Sequence, residues 1–204
     1  MSPTITGIIF DYGKVLSLPP TAQQWQRLAS MFGADDAAFQ HSYWGFRDGY
    51  DRGEYDGPEY WRMVARAFGV PLSDDQARQL VIWDNDQWTN ENPEMLAFAR
   101  AVHARGIRTA ILSNMQRDML SFMRAKFHWL YEGIFDSQVY SCELGVVKPL
   151  AEAYLQTCRR MTSRPETTLF LDDKQVNIDG AKRAGLQALL NTGSRAEVEA
   201  YMAG

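Results

Sequence analysis

The run Gly7-Ile8-Ile9-Phe10 is apolar and strand-like, and it delivers Asp11 directly into the glycine-containing turn Tyr12-Gly13-Lys14-Val15-Leu16. A carboxylate at the end of a buried strand is how α/β proteins present a nucleophile or a metal ligand. Three further polar groupings follow in chain order: Ser113-Asn114 after Leu112, Lys148-Pro149, and Asp172-Asp173 after Leu171, with Asn177 downstream. Each has an ordinary reading by itself. Asp at a strand end forms turns, Ser and Asn cap helices, and lysines are mostly exposed. Adjacent carboxylates are harder to place, because they repel and call for a cation or a hydrogen-bond network. Taken together, the four groupings describe one site.

Such residues converge only if the chain brings several strand ends together. Short apolar strands are expected at Gly7 to Phe10, Thr109 to Leu112, Gln138 to Ser141, Thr168 to Leu171 and Gln187 to Leu190. Helical patterns separate most of them. Pro93 opens a helix with Leu96, Ala99 and Val102 as its stripe and Gly106 as its stop. A second starts near Ala151, with Leu155 and Cys158 on one face. A third follows Asp173, with Ile178, Ala181 and Ala184 inward and Gly185 closing it. Apolar strands alternating with helices predict a Rossmann-like parallel sheet covered on both faces, with its ligand site beyond the carboxyl ends of the strands.

Residues 11 and 113 are separated by far more chain than one crossover helix needs. Residues 18–90 read as four amphipathic helices without a strand. Their stripes are Trp25-Leu28-Ala29-Phe32, Phe39-Tyr43-Phe46, Trp61-Val64-Ala65-Phe68, and Ala77-Leu80-Val81 behind a Ser73-Asp74-Asp75 cap. The expected organisation is an α/β core of residues 1–17 and 91–204 carrying a small inserted all-helical cap at 18–90. Within it, the stretch from Tyr43 to Glu54 is rich in aromatic, charged and glycine residues. Trp44 could wall a pocket and Arg47 could contact an anion or hydroxyl.

Composition narrows the function classes. Of 204 residues 46% are hydrophobic and 23% charged, with a formal net charge of −4. That balance fits a folded globular chain and argues against a nucleic-acid partner, which needs clustered basic surface. The apolar runs are too short to cross a bilayer, and no signal peptide is expected. Two cysteines, Cys142 and Cys158, suggest buried thiols in a reducing compartment, so a cytoplasmic protein is expected. The three histidines lack metal-ligand spacing.

In their order, Asp11, Ser113-Asn114, Lys148-Pro149 and Asp172-Asp173 with Asn177 resemble the four motifs of the haloacid dehalogenase-like hydrolases. The insertion lies where the helical cap of that superfamily lies. The resemblance implies a Mg²⁺-dependent phosphomonoester hydrolase acting on a small phosphorylated metabolite. Asp11 would attack phosphorus and form an aspartyl-phosphate that water then hydrolyses. Asp173, Asp172 and Asp11 would offer hard oxygen ligands to Mg²⁺, with the Gly13 carbonyl added by resemblance. Ser113 and the Asn114 amide would bind phosphate oxygens, and Lys148 would face the transferring charge. Asn177 and Lys174 would orient or screen the acidic pair.

One position departs from that pattern. Most phosphatases of the superfamily carry a second Asp two residues after the nucleophile, where this chain has Gly13. General acid–base help is worth ~10²–10⁴ in rate. Three expectations follow. A phosphatase of the subgroup with an Asp-x-Gly-x-Val turn would act on a sugar phosphate, whose anomeric leaving group needs little protonation, or would draw its proton from Lys14 or a cap residue. A 2-haloacid dehalogenase would attack carbon and need no acid. A catalytically impaired member would bind its ligand without turnover.

Overall fold

The computed structural model describes residues 4–204. Five strands form one wholly parallel sheet: β1 (Gly7–Phe10), β2 (Arg108–Ser113), β3 (Ser137–Tyr140), β4 (Thr168–Asp172) and β5 (Gln187–Leu190). Their order is β3-β2-β1-β4-β5. The strand that leads into Asp11, β1, is therefore central, with β2 and β4 on its two sides. The register aligns Phe10 with Ile111 on one side and Leu171 on the other. That places Asp11 level with Leu112 and Asp172, so three of the polar groupings leave the sheet at one edge.

Period-two alternation sorts the strand residues onto two faces. Ile8, Phe10, Ile111, Leu169 and Leu171 pack into one core, and Ile9, Ala110, Leu112 and Phe170 into another. The first core is covered by α6 (Pro93–Ala104), α7 (Arg117–Lys126) and α11 (Arg195–Ala203). The second is covered by α9 (Ala151–Arg160) and α10 (Gln175–Arg183). Helices on both faces of a parallel sheet, whose strands β1 and β4 are buried throughout, are the expected Rossmann-like α/β architecture. One face differs in detail. Helix α9 buries Ala153, Tyr154, Thr157 and Cys158, while Leu155 is only half-buried. Gly180 lets α10 lie close against the Lys148-Pro149 loop; a Cβ there would stand 2.7 Å from both the Pro149 Cβ and its carbonyl oxygen.

Between β1 and β2 lie α1 (Ala22–Ala29), α2 (Asp36–Gly45), α3 (Arg47–Arg52), α4 (Gly57–Ala67) and α5 (Asp74–Gln87). The expected second helix is thus two, broken where Phe46 leaves helical geometry at φ −107° and ψ 3°. Gly45 and Gly49 flank the break, and glycine is among the weakest helix formers. Helices α1 and α5 begin with reciprocal capping boxes, Thr21 with Gln24 and Ser73 with Gln76. The five helices share their own core of Leu28, Phe32, Phe39, Tyr43, Tyr60, Trp61, Val64 and Leu80. Asn92 ties the far end of the insertion to β1's exit. It caps α6, and its side-chain amide donates to the carbonyls of Val15 and Gly193. A short helix α8 (Ser141–Leu144) follows β3. Among the described residues no helix is long and apolar enough to cross a membrane. Both cysteines are buried free thiols.

Candidate active site

At the carboxyl edge of the sheet, Lys148 bridges two carboxylates. Its Nζ lies 2.9 Å from Asp11 Oδ1 and 2.6 Å from Asp172 Oδ2. All three side chains are nearly or wholly buried. Burial by itself would strip the proton from this lysine, but Asp11 and Asp172 outweigh it and hold the ammonium above the ordinary lysine range. The position of Lys148 is set through its backbone. Its N–H donates to Asn114 Oδ1 at 2.8 Å, and its carbonyl accepts from Asn114 Nδ2 at 3.0 Å, across a cis bond to Pro149. The Asn114 side chain is therefore spent on the lysine loop, and only its backbone amide is left for a ligand.

Asp172 is similarly committed. Asn177 Nδ2 donates to both of its oxygens at 3.0 Å, and the Lys174 backbone N–H donates to Oδ1 at 2.8 Å. Asp172 thus accepts bonds on every side and acts on Lys148. Asp11 is different. Its Oδ1 takes the Tyr12 N–H at 2.7 Å as well as Lys148, while no donor among the described residues pairs with its Oδ2. Burial pushes the Asp11 carboxyl up to about 7, against the pull of Lys148; Asp172 and Asp173 push the same way. Asp173 is only half-buried and meets the Lys14 ammonium at 3.0 Å. Lys14 reaches it from a left-handed backbone, φ 58°.

A pocket opens over this cluster, between the sheet edge and the inserted helices. Asp11, Gly13, Ser113, Asn114, Lys148, Asp173 and Lys174 line its polar floor. Tyr12, Trp44, Trp88, Met115 and Met119 form apolar walls, and Arg47, Asp51 and Gln116 form a polar far side. Trp44 stands where a wall was expected, with Lys174 Nζ 4.3 Å from its ring centre. Arg47 is not a free anion contact. Its guanidinium is spent inside the protein, on Asp51 (3.0 Å), Asp84 (2.9 Å), the Tyr43 hydroxyl (2.7 Å) and Gln116 Oε1 (2.7 Å). It also lies over the rings of Tyr43, Tyr50 and Tyr60. Those carboxylates and hydroxyls reverse the effect of burial and hold it fully charged.

Sequence reasoning missed Asp51, Asp84, Trp88 and Gln116. The i,i+4 spacing of Arg47 and Asp51 was a legible ion-pair signal. No local signal links Asp84 or Gln116 to Arg47, because those contacts join different elements.

A family model for haloacid dehalogenase-like hydrolases matches residues 76–185, more than half of the chain. The chain belongs to the haloacid dehalogenase-like hydrolase family. This hydrolase is 29% identical over 138 residues to rat bifunctional epoxide hydrolase 2, a match covering 65% of the chain but 24% of that longer protein. It is 23% identical over 149 residues to a sesquiterpene phosphatase of Aspergillus oryzae, covering 72% of each. Among solved structures, a family enzyme from Bacteroides thetaiotaomicron superimposes with a TM-score of 0.78 at 16% identity, over 98% and 99% of the two chains. The L-2-haloacid dehalogenase of Xanthobacter autotrophicus gives 0.62 at 19% identity, over 91% and 76%. These structural likenesses concern the fold.

Proposed function

We propose that this hydrolase is a Mg²⁺-dependent phosphomonoesterase that acts through an aspartyl-phosphate on Asp11. One observation carries the reading: oxygens of Asp11, Asp172 and Asp173 lie within 4.8 Å of one another, beside a buried ammonium that touches the first two. Three carboxylates against two ammonium groups, the buried Lys148 and the half-exposed Lys14, leave negative charge that repels an anionic ester and favours a cation. The donor set suits Mg²⁺, which takes hard oxygens, few carboxylates and several waters. Asp11 Oδ2, Asp173 and the Gly13 carbonyl would hold it, while Asp172, already bonded to Lys148 and Asn177, would position the lysine. Bound there, the ion would neutralise the ester and polarise its phosphoryl group.

The protein's own groups divide the remaining work. Tyr12 N–H and Lys148 restrain the Asp11 carboxylate at one oxygen, which orients it for in-line attack. Lys148 and the Asn114 backbone amide meet charge that spreads over the transferring oxygens. The Ser113 hydroxyl, nearly buried and on the pocket floor, binds one of them. The walls of Trp44, Trp88, Tyr12, Met115 and Met119 favour a leaving group with an apolar or ring face. A sugar-phosphate ring and the isoprenoid chain suggested by the sesquiterpene phosphatase both meet that description.

The test is phosphate release from sugar, isoprenoid and aryl monophosphates, with Mg²⁺, with chelator, and with Asp11→Asn. Turnover that requires both Mg²⁺ and Asp11 is expected. The dehalogenase fold neighbour motivates a second reading, which would be supported instead by halide release from 2-haloacids that persists in chelator.

A further inference from the structure

With Gly13 in place of the usual acid, the leaving oxygen must take its proton from another group. Lys14 lies 3.0 Å from Asp173, on the side of the pocket assigned to the metal, and a guanidinium such as Arg47 does not give up its proton. The far side of the pocket holds one further carboxyl, Asp51 on α3.

Asp51 belongs to a buried group of two carboxylates and one guanidinium: Asp51, Asp84 and Arg47. Their hydrogen bonds are unequally shared. Asp84, wholly buried, accepts from Tyr43 Oη at 2.7 Å, Arg47 Nη1 at 2.9 Å and Gln87 Nε2 at 3.0 Å. The Asp51 carboxyl accepts one bond among the described residues, from Arg47 Nε at 3.0 Å. Donors stabilise the charged form of a carboxyl, and two buried anions beside one cation are costly. Arg47 bonds both carboxyls, but Asp84 accepts from three donors and Asp51 from one, so Asp51 is the better placed of the two to carry a proton. Asp51 lines the pocket and Asp84 does not. Further charged or titratable neighbours of Asp51 among the described residues include Lys174 across the pocket, Cys142 of α8, Tyr55, and Asp48, one helical turn earlier on α3.

Its placement is fixed from both sides of the pocket. The Ser141 hydroxyl of the core donates to the Asp51 backbone carbonyl at 2.6 Å, and Arg47 reaches Gln116 of the core at 2.7 Å.

We propose that Asp51 is the general acid and base of this reaction. The assignment rests on the phosphatase reading above. As the Asp11 oxygen–phosphorus bond forms and the ester P–O bond breaks, the Asp51 carboxyl gives its proton to the departing alkoxide, releasing an alcohol. The Asp51 carboxylate then takes a proton from water as that water's oxygen attacks phosphorus, and the bond to Asp11 breaks to free phosphate. Asp51 ends protonated, as it began. Its environment suits the starting state: burial raises its carboxyl above the ordinary range, against the pull of Arg47.

The discriminating variant is Asp51→Asn, which keeps an acceptor for Arg47 Nε but has no proton to give. Wild type and variant are compared with Mg²⁺ on aryl and alkyl monophosphates whose leaving groups differ in acidity. The variant should lose ~10²–10³-fold in kcat/KM on an alkyl phosphate and less than ~10-fold on p-nitrophenyl phosphate. An infrared difference spectrum of the metal-free proteins at neutral pH should show a carboxylic-acid carbonyl band present in wild type and missing from the variant, a readout independent of turnover. Equal loss on every ester, no loss on the alkyl ester, or no difference band would overturn the assignment. So would transfer of the leaving-group dependence to Lys174→Met. A wild type that hydrolyses no phosphate ester would remove the phosphatase reading itself, and the role of Asp51 with it; an active wild type with an unselective variant would remove Asp51 alone.

Discussion

Replacing Arg47 with alanine tests the claim that its guanidinium organises the buried junction between inserted helices and core. Four acceptors would each lose a donor at once: Asp51, the Tyr43 hydroxyl, Gln116 Oε1, and Asp84, which keeps only Tyr43 and Gln87. Asp84 is 0% exposed and Asp51 5%, so water cannot replace the lost bonds without opening the structure. Removing one partner of a buried ion pair costs ~3–5 kcal/mol, mainly because the stranded charge stays desolvated. Native domains hold only ~5–15 kcal/mol in total. At about 2–4 °C per kcal/mol for a chain of this size, the midpoint of thermal unfolding should fall by about 6–20 °C. Urea unfolding followed by tryptophan fluorescence and circular dichroism gives the free energy directly. Arg47→Lys keeps the charge but offers three donors from one point to four acceptors, and should lose ~1–3 kcal/mol. An alanine variant within ~1 kcal/mol of wild type, the range of an exposed pair, would refute the buried-junction argument.

Asp172→Asn removes one of the two carboxylates that hold Lys148 and should lower kcat by ~10²-fold or more while the protein stays folded, measured on the best phosphate ester. Gly13→Ala should be neutral or stabilise by ~0.4–1 kcal/mol in urea unfolding, because φ is −62° there and a Cβ meets only Trp88, at 3.6 Å. Gly180→Ala should destabilise by ~1–3 kcal/mol and cut activity, because its Cβ would push the Pro149 backbone and so move Lys148. Mg²⁺ affinity should climb as pH rises toward 7 and level off above it, since the Asp11 carboxyl is raised to about 7 and must lose its proton to bind a cation. Calorimetry in buffers of different ionisation enthalpy would count that proton. The same shift has the opposite sign for the metal-free fold: protonated Asp11 favours it in acid, and that contribution is lost as pH rises through about 7.

What could be read from the chain alone was governed by local rules. Apolar runs bounded by turns located all five strands to within a residue or two, because strands of a helix-covered parallel sheet, above all the buried β1 and β4, have little choice of composition. Proline and glycine punctuated α6 and α10 for reasons of backbone geometry, and Ser73 announced the N-terminal cap of α5. Polar groups at strand ends gathered Asp11, Ser113 and Asp172 on one sheet edge, since parallel strands all finish on the same side. Other features depend on contacts between distant segments. Which of two adjacent carboxylates faces the lysine, and which the pocket, was settled by the turn after β4: Asp172 points into the core toward Lys148 and Asn177, and Asp173 toward Lys14. Arg47 looked like a ligand contact because a charged residue in an aromatic stretch is ordinarily exposed. The fold instead carries Asp84 and Gln116, far along the chain, to within 2.9 Å and 2.7 Å of its guanidinium. Only that convergence leaves Asp51 short of donors beside the pocket. A residue's type and its neighbours in sequence set what it can bond, but the number of partners that reach it, and so its charge, is decided by the tertiary structure.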